Sequence, residues 1–272
     1  MEERVDVRRA VTESLVAEGH LGVFAVLTIL ALVARVGAGF SILTPVSWIA
    51  TAFSLGYLIS YSREVACRRA DRYPSLTDAG THLRRGLSSL LIGLPAYLLT
   101  LPIGILVLFV VGFVYRLHVL PREMTFLIAL IPLVLVAFTL NAPLAAVYVI
   151  EDRIARAFEL KANYTAGWRN RRLLWVPVGF AAFTIVVNAV VNTTLAYLLG
   201  GPVFSTSSQP PELAQYAALE SIIALLFASV VAVTLELVLT HLIGQYSALL
   251  DERRVSGLTS ASSRLRQPSA TM

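Results

Sequence analysis

The sequence predicts an all-α integral membrane protein, a six-transmembrane-helix bundle with interfacial cytoplasmic helices. Three observations carry this. Hydrophobic residues make up 57% of the 272 and charged residues only 14%, against roughly 25% charged in soluble domains. The apolar residues fall in runs long enough to cross a ~30 Å hydrocarbon layer as helices. The basic residues gather in alternate connections, as the positive-inside rule requires.

The amino-terminal segment, residues 1–20, mixes acidic and basic residues ahead of the first apolar run at Leu21. A cleavable signal peptide fits this poorly, because its apolar region would sit closer to the start. Residues 21–61 then hold enough apolar chain for a tight pair of helices, with Gly37, Gly39 and Pro45 supplying the break. A re-entrant pair of half-helices is the alternative. The third run, about Leu87 to Tyr115, contains Pro95 and Pro102, and the fourth, about Met124 to Ile150, contains Pro132 and Pro143. Both exceed a straight span, so tilt or kinking is expected. The fifth covers about Leu173 to Leu199. The last apolar run is too long for one perpendicular crossing, and its spanning part is expected near residues 217–242. Residues 251–272 form a polar, basic tail, expected to be mobile after its first few residues. The six-span membrane domain is thus residues 21–250, flanked by two cytoplasmic segments.

Orientation follows from charge. Of the 22 Lys and Arg residues, all but Arg35, Arg116 and Arg122 fall in the amino-terminal segment, the second-to-third connection, the fourth-to-fifth connection or the tail. That places both termini in the cytoplasm and demands an even number of spans. The fourth-to-fifth connection carries Ile154, Phe158, Thr165 and Trp168 at spacings that put them near one side of a helix lying beneath the bilayer.

A faint internal repeat joins "YLISYSREVACRR" to "YVIEDRIARAF" and "RRGLSSLLIGLPA" to "RRLLWVPVGFAA". Shared boundary physics explains it better than duplication does, since membrane-exit points select tyrosine and arginine independently. The stretches "GYLISYSREVACRRADRYPSLTDAGTHLRRGL", "RIARAFELKANYTAGWRN" and "HLIGQYSALL" resemble a family of archaeal and bacterial multi-pass membrane proteins known only as a domain of unknown function. The resemblance covers roughly residues 18–255. It implies that Gly56 and Tyr57 match a Gly-Tyr pair closing the second segment, and that Pro74 and Asp78 match the turn before the third helix. Ala79 and Gly80 depart from the aromatic residue often found there. The resemblance implies no catalytic reaction, substrate or ligand set.

Candidate sites are the polar groups in apolar runs, since a charge at a helix centre costs about 2.5 to 3.5 kcal/mol on insertion scales. Glu236 leads. It either packs by hydrogen bonding to another helix or handles a proton or ion. His241, five residues on, lies about 140° around the helix, so the two make no metal pair, whereas Thr240 stacks beside Glu236. Asn188 and Asn192, one turn apart, either join helices or line a solvated cavity. Arg35 either snorkels to the headgroups near its turn or, in a re-entrant hairpin, attracts an anion. Arg68, Arg69, Arg72, Arg84, Arg85, Arg169, Arg171 and Arg172 are expected to bind anionic lipid headgroups. This reading displaces nucleic acid as a partner, because the interleaved Tyr73, Phe158 and Trp168 suit a membrane interface.

Cys67 is the only cysteine, which excludes an internal disulfide and a cysteine-based metal cluster. No nucleophile elbow, phosphate loop, dinucleotide fingerprint or zinc-protease motif occurs, so neither a cofactor nor a metal is expected. The sequence therefore favours a non-catalytic scaffold or accessory protein of a prokaryotic cell membrane, with a membrane-protein partner. A small-solute or ion transporter is the second reading and a lipid-processing enzyme the third.

Overall fold

A computed structural model of the chain describes residues 4–16, 19–39, 43–68, 73–116, 122–198 and 211–265. Among them the ordered elements are helices: α1 (Val7–Val16), α2 (His20–Gly39), α3 (Thr44–Ala66), α4 (Ala79–Arg116), α5 (Arg122–Glu151), α6 (Ile154–Ala157), α7 (Leu160–Arg169), α8 (Arg171–Leu198) and α9 (Pro211–Leu265). Within these, Ala79–Val107, Arg171–Val191 and Ile222–Arg253 are long and apolar enough to cross a membrane, and His20–Val36 and Leu135–Glu151 are shorter apolar helices.

The surface is the reverse of a soluble protein's. On α4, Leu87, Leu91, Leu94, Leu98, Leu101 and Ile105 repeat at helical spacing and are all exposed, while Ser60, Ser62, Ser229 and Thr240 are buried between helices. Lipid removes the penalty on exposed leucine, and small residues let backbones approach. The closest approach is between α3 and α4. A Cβ on Gly56 would lie 1.6 Å from the His82 carbonyl oxygen, and one on Gly86 would lie 1.7 Å from that of Ala52. Gly244 does the same for α9 against α3, where an added Cβ would meet the Ser62 carbonyl oxygen at 2.6 Å.

Residues 21–61 divide between α2 and α3 as the glycines and Pro45 predict, and Pro45 sits in the first turn of α3, where its missing N–H costs nothing. Three expectations need amending. The helix predicted beneath the bilayer is two helices, α6 and α7, broken at Phe158 and Glu159. Asn163 holds the break, donating from Nδ2 to the carbonyls of Arg156 and Ala157 at 2.8 and 3.0 Å. Its buried residues are Ala157, Asn163 and Gly167, which leaves Ile154, Phe158 and Trp168 exposed. Next, α9 passes without interruption through position 250 and continues to Leu265, so the tail does not begin where helix ends. Lastly, the amino-terminal segment is part of the bundle. Ala10 and Ser14 are fully buried, Val5 and Ala10 join the core with Leu242, Tyr246 and Leu250, and the Asp6 N–H donates to Gln245 Oε1 at 2.7 Å.

The charged connections meet at one end of the bundle. Arg68 pairs with Glu252 at 2.5 Å, Arg253 donates to Asn170 Oδ1 at 3.2 Å, and Tyr73 donates to the Ser14 carbonyl. Burial pushes the Tyr73 phenol up to about 12, against an opposing hydrogen bond with Tyr61, so the hydroxyl keeps the proton it donates.

Candidate functional site: a central cavity and an arginine cluster

A cavity of about 480 Å³ lies among α2, α3, α4, α5 and α9. Its size falls in the range of small-molecule sites, ~300 to 1,000 Å³. Its walls are mostly aliphatic, with Leu27, Leu58, Val233 and Leu239 among them, and two charged residues face it: Arg35 from α2 and Glu236 from α9. Glu236 is exposed and lines this cavity. Thr240, one turn on, lines the cavity as well.

Arg35 lines this cavity, partly buried, with Nη1 buried and without a hydrogen-bond partner. Among the described ion pairs none joins Arg35 to Glu236, although both line this cavity. A second unpartnered atom, Asn141 Oδ1 from α5, belongs to the same lining.

His241 sits on another side of α9, as its angular offset from Glu236 predicts. Its Nδ1 lies 3.0 Å from the Tyr61 hydroxyl and its Nε2 3.3 Å from Glu13 Oε2. Asn188 is not on the cavity. Its Nδ2 donates to the Thr184 carbonyl of its own helix at 3.0 Å. The Asn192 side chain lies outside the described residues, as do Arg69 and Arg72.

Beneath the cavity lies a cluster that the sequence reading missed. Asp152 follows the last residue of α5 in the left-handed region, φ +53°, and its N–H closes the helix on the Tyr148 carbonyl at 2.9 Å. Aspartate tolerates that conformation better than most residues. Its carboxylate receives Arg85 at 2.7 Å, Arg63 at 3.2 Å and Arg84 at 3.9 Å. Burial raises the Asp152 pKa, but the Arg85 hydrogen bond and the three guanidinium charges outweigh it and hold the carboxyl below its ordinary 3.8.

Arg85 also donates to Ser60 Oγ at 2.9 Å, and Ser60 Oγ lies 3.0 Å from Nδ1 of buried His82. His82 Nε2 lies 2.8 Å from the Ser75 carbonyl, which can only accept, so Nε2 carries the proton. Ser60 Oγ also lies 2.9 Å from the Gly56 carbonyl, to which it donates, so its one hydroxyl proton serves two neighbouring acceptors. The contacts among Asp152, Arg85, Ser60, His82 and Ser75 thus tie the end of α5 to α4, α3 and the loop before α4.

The cavity and this cluster are neighbours. Ser62, Ser89 and Tyr148 line the cavity. Ser62 precedes Arg63, Ser89 stands one turn after Arg85, and Tyr148 one turn before Asp152. Three helices therefore place the ion cluster about one helical turn, ~5.4 Å, from the cavity lining.

The remaining basic candidates lie on the outside of the same end. Arg84 is largely exposed, and Arg169, Arg171 and Arg172 are exposed at the α7–α8 junction. Arg171 stands 5.5 Å over the Trp168 ring, a cation–π distance. Among the described residues no group of His, Cys, Asp and Glu could hold a metal ion.

A family model described as Protein of unknown function (DUF4013) matches residues 36–195, more than half of the chain. The chain belongs to the DUF4013 family. The matched span runs from the end of α2 almost to the end of α8, and it contains Gly56, Gly86 and every member of the Asp152 cluster. Arg35 and Glu236 lie outside the span that defines DUF4013 here. No curated protein and no solved structure matches the chain.

Proposed function

We propose that this protein binds a small solute in its central cavity and carries it across a prokaryotic cytoplasmic membrane, with α2, α3, α4, α5, α8 and α9 as six spans and both termini in the cytoplasm. The observation that carries the proposal is the ~480 Å³ chamber with Glu236 and Arg35 on its wall. Scaffolds held by packing have no use for two charges turned inward, because each costs desolvation that packing does not return. The exposed leucine stripe of α4 supports a lipid-facing surface.

In this reading the Asp152 cluster closes the cytoplasmic end. Three arginines on one carboxylate leave net positive charge there, which also suits contact with anionic headgroups together with Arg169, Arg171 and Arg172. No step in this role requires catalysis.

The test is flux. Reconstituted wild-type protein, supplied with pools of small labelled solutes, takes up at least one of them, and Glu236→Gln reduces that uptake while inserting normally. Equal uptake by wild type and empty vesicles across the pools would defeat the proposal.

A further inference from the structure

We infer that the cavity takes a zwitterion with an apolar body, its anionic group on Arg35 and its cationic group on Glu236. The inference rests on the solute-binding reading above and names its substrate class. Arg35 and Glu236 come from different helices, line one chamber and do not pair with each other. Asn141 lines the same cavity. A carboxylate or phosphate accepts from the guanidinium, with geometry that favours arginine. An ammonium donates to the Glu236 carboxylate.

Charge balance selects against the simpler ligands. An anion alone would satisfy Arg35 while adding a like charge opposite Glu236, and a cation alone would do the reverse, both in a chamber where low dielectric amplifies repulsion. A neutral apolar solute would leave both charges unmet. A zwitterion keeps the loaded chamber neutral, and Leu27, Leu58, Val233 and Leu239 receive its aliphatic part. The same chemistry comes from two sources, a free amino-acid-like solute or a zwitterionic lipid headgroup.

The test uses the full chain in phosphatidylglycerol nanodiscs, with labelled leucine as the probe. Its two one-charge analogues, isopentylamine and 4-methylpentanoate, serve as competitors. Leucine is expected to compete at least about tenfold better than either analogue. Arg35→Gln should erase its advantage over isopentylamine, and Glu236→Gln its advantage over 4-methylpentanoate. If either variant does not fold, the wild-type comparison alone decides. Phosphatidylethanolamine added to the nanodiscs separates the sources: displacement of leucine, or binding of that lipid where leucine does not bind, assigns the headgroup, and leucine binding without displacement assigns the free solute. The inference is overturned if neither leucine nor phosphatidylethanolamine binds, or if the analogues compete as well as leucine. Should either occur while a cysteine at position 236 still reacts with a small thiol reagent, the zwitterion class fails and the open cavity stands. An unreactive cysteine there removes both.

Discussion

Gly56 and Gly86 lie against each other at the α3–α4 crossing, so that a Cβ on Gly56 would come within 2.6 Å of the Gly86 nitrogen and a Cβ on Gly86 within 3.1 Å of the Gly56 nitrogen. Each also faces a carbonyl of the opposite helix, and backbone cannot move aside as a side chain can. This crossing carries Ser60, His82 and Arg85, and through them it sets the position of the Asp152 cluster.

Gly56→Ala and Gly86→Ala are each expected to destabilise the protein by about 3 kcal/mol or more, the upper end of overpacking costs. Gly179→Ala, which meets nothing within 4 Å, is the control and should be neutral or slightly stabilising, since alanine is the better helix former. Thermal unfolding of the three purified variants measures the difference. Because the two glycines share one contact, the double variant should cost less than the two single costs together.

Removing the Asp152 carboxylate strands three arginines at one point. Asp152→Asn should lower stability by about 1.5 to 3 kcal/mol, the range for a hydrogen bond to a charged group. The sign with pH is defined. The folded-state pKa of Asp152 lies below its ordinary 3.8, so its contribution is complete above that value and is lost as pH falls through the lower folded value. Wild-type stability minus that of Asp152→Asn should therefore be constant near neutrality and shrink below about pH 4. A difference that grows on acidification would contradict the arrangement.

The cavity predicts a pattern of chemical access along α9. In a background with Cys67 replaced by Ser, a cysteine at position 236 should react with a small charged thiol reagent, whereas one at position 237 should not. Leu237 is fully buried and absent from the cavity wall. Mass spectrometry of the labelled protein reads both, and equal reactivity would show that the chamber is not the route of access.

The amino-terminal helix is held by paired contacts between Asp6 and Gln245, in which the Asp6 N–H donates to Gln245 Oε1 and Gln245 Nε2 donates to the Asp6 carbonyl at 3.3 Å. Gln245→Ala should weaken this docking by about 1 to 3 kcal/mol. Hydrogen exchange should speed up in residues 6–16, with the interior of α5 unchanged. Uniform acceleration across the chain would instead indicate global loss of stability.

Much of the architecture was legible before any fold was known. The apolar runs anticipated α2, α3, α4, α5, α8 and α9, and Gly37, Gly39 and Pro45 marked the break between the first two. Glu236 and Arg35 stood out as charges in apolar surroundings, and the helical offset correctly separated Glu236 from His241. Asp152 did not stand out, because an acid beside Glu151 and Arg153 at a helix end reads as ordinary boundary chemistry. Its role depends on a left-handed residue that turns it towards Arg63 and Arg85, which lie 89 and 67 positions away in sequence. The break between α6 and α7 was hidden too, since a continuous amphipathic spacing survives a one-turn interruption.

By itself, the sequence determined which segments are apolar and which connections gather the basic residues. Those properties are sums over neighbouring residues, and hydropathy and charge report them without knowledge of contacts. Only the tertiary structure decided that Arg35 shares a chamber with Glu236 and Asn141, and that Asp152 collects three arginines beneath it. Each of these depends on how far one helix rotates and how closely it approaches another. For α3, α4 and α9 that approach is set in part by backbone contacts at Gly56, Gly86 and Gly244, whose partners are distant in the chain and leave no periodic trace in it.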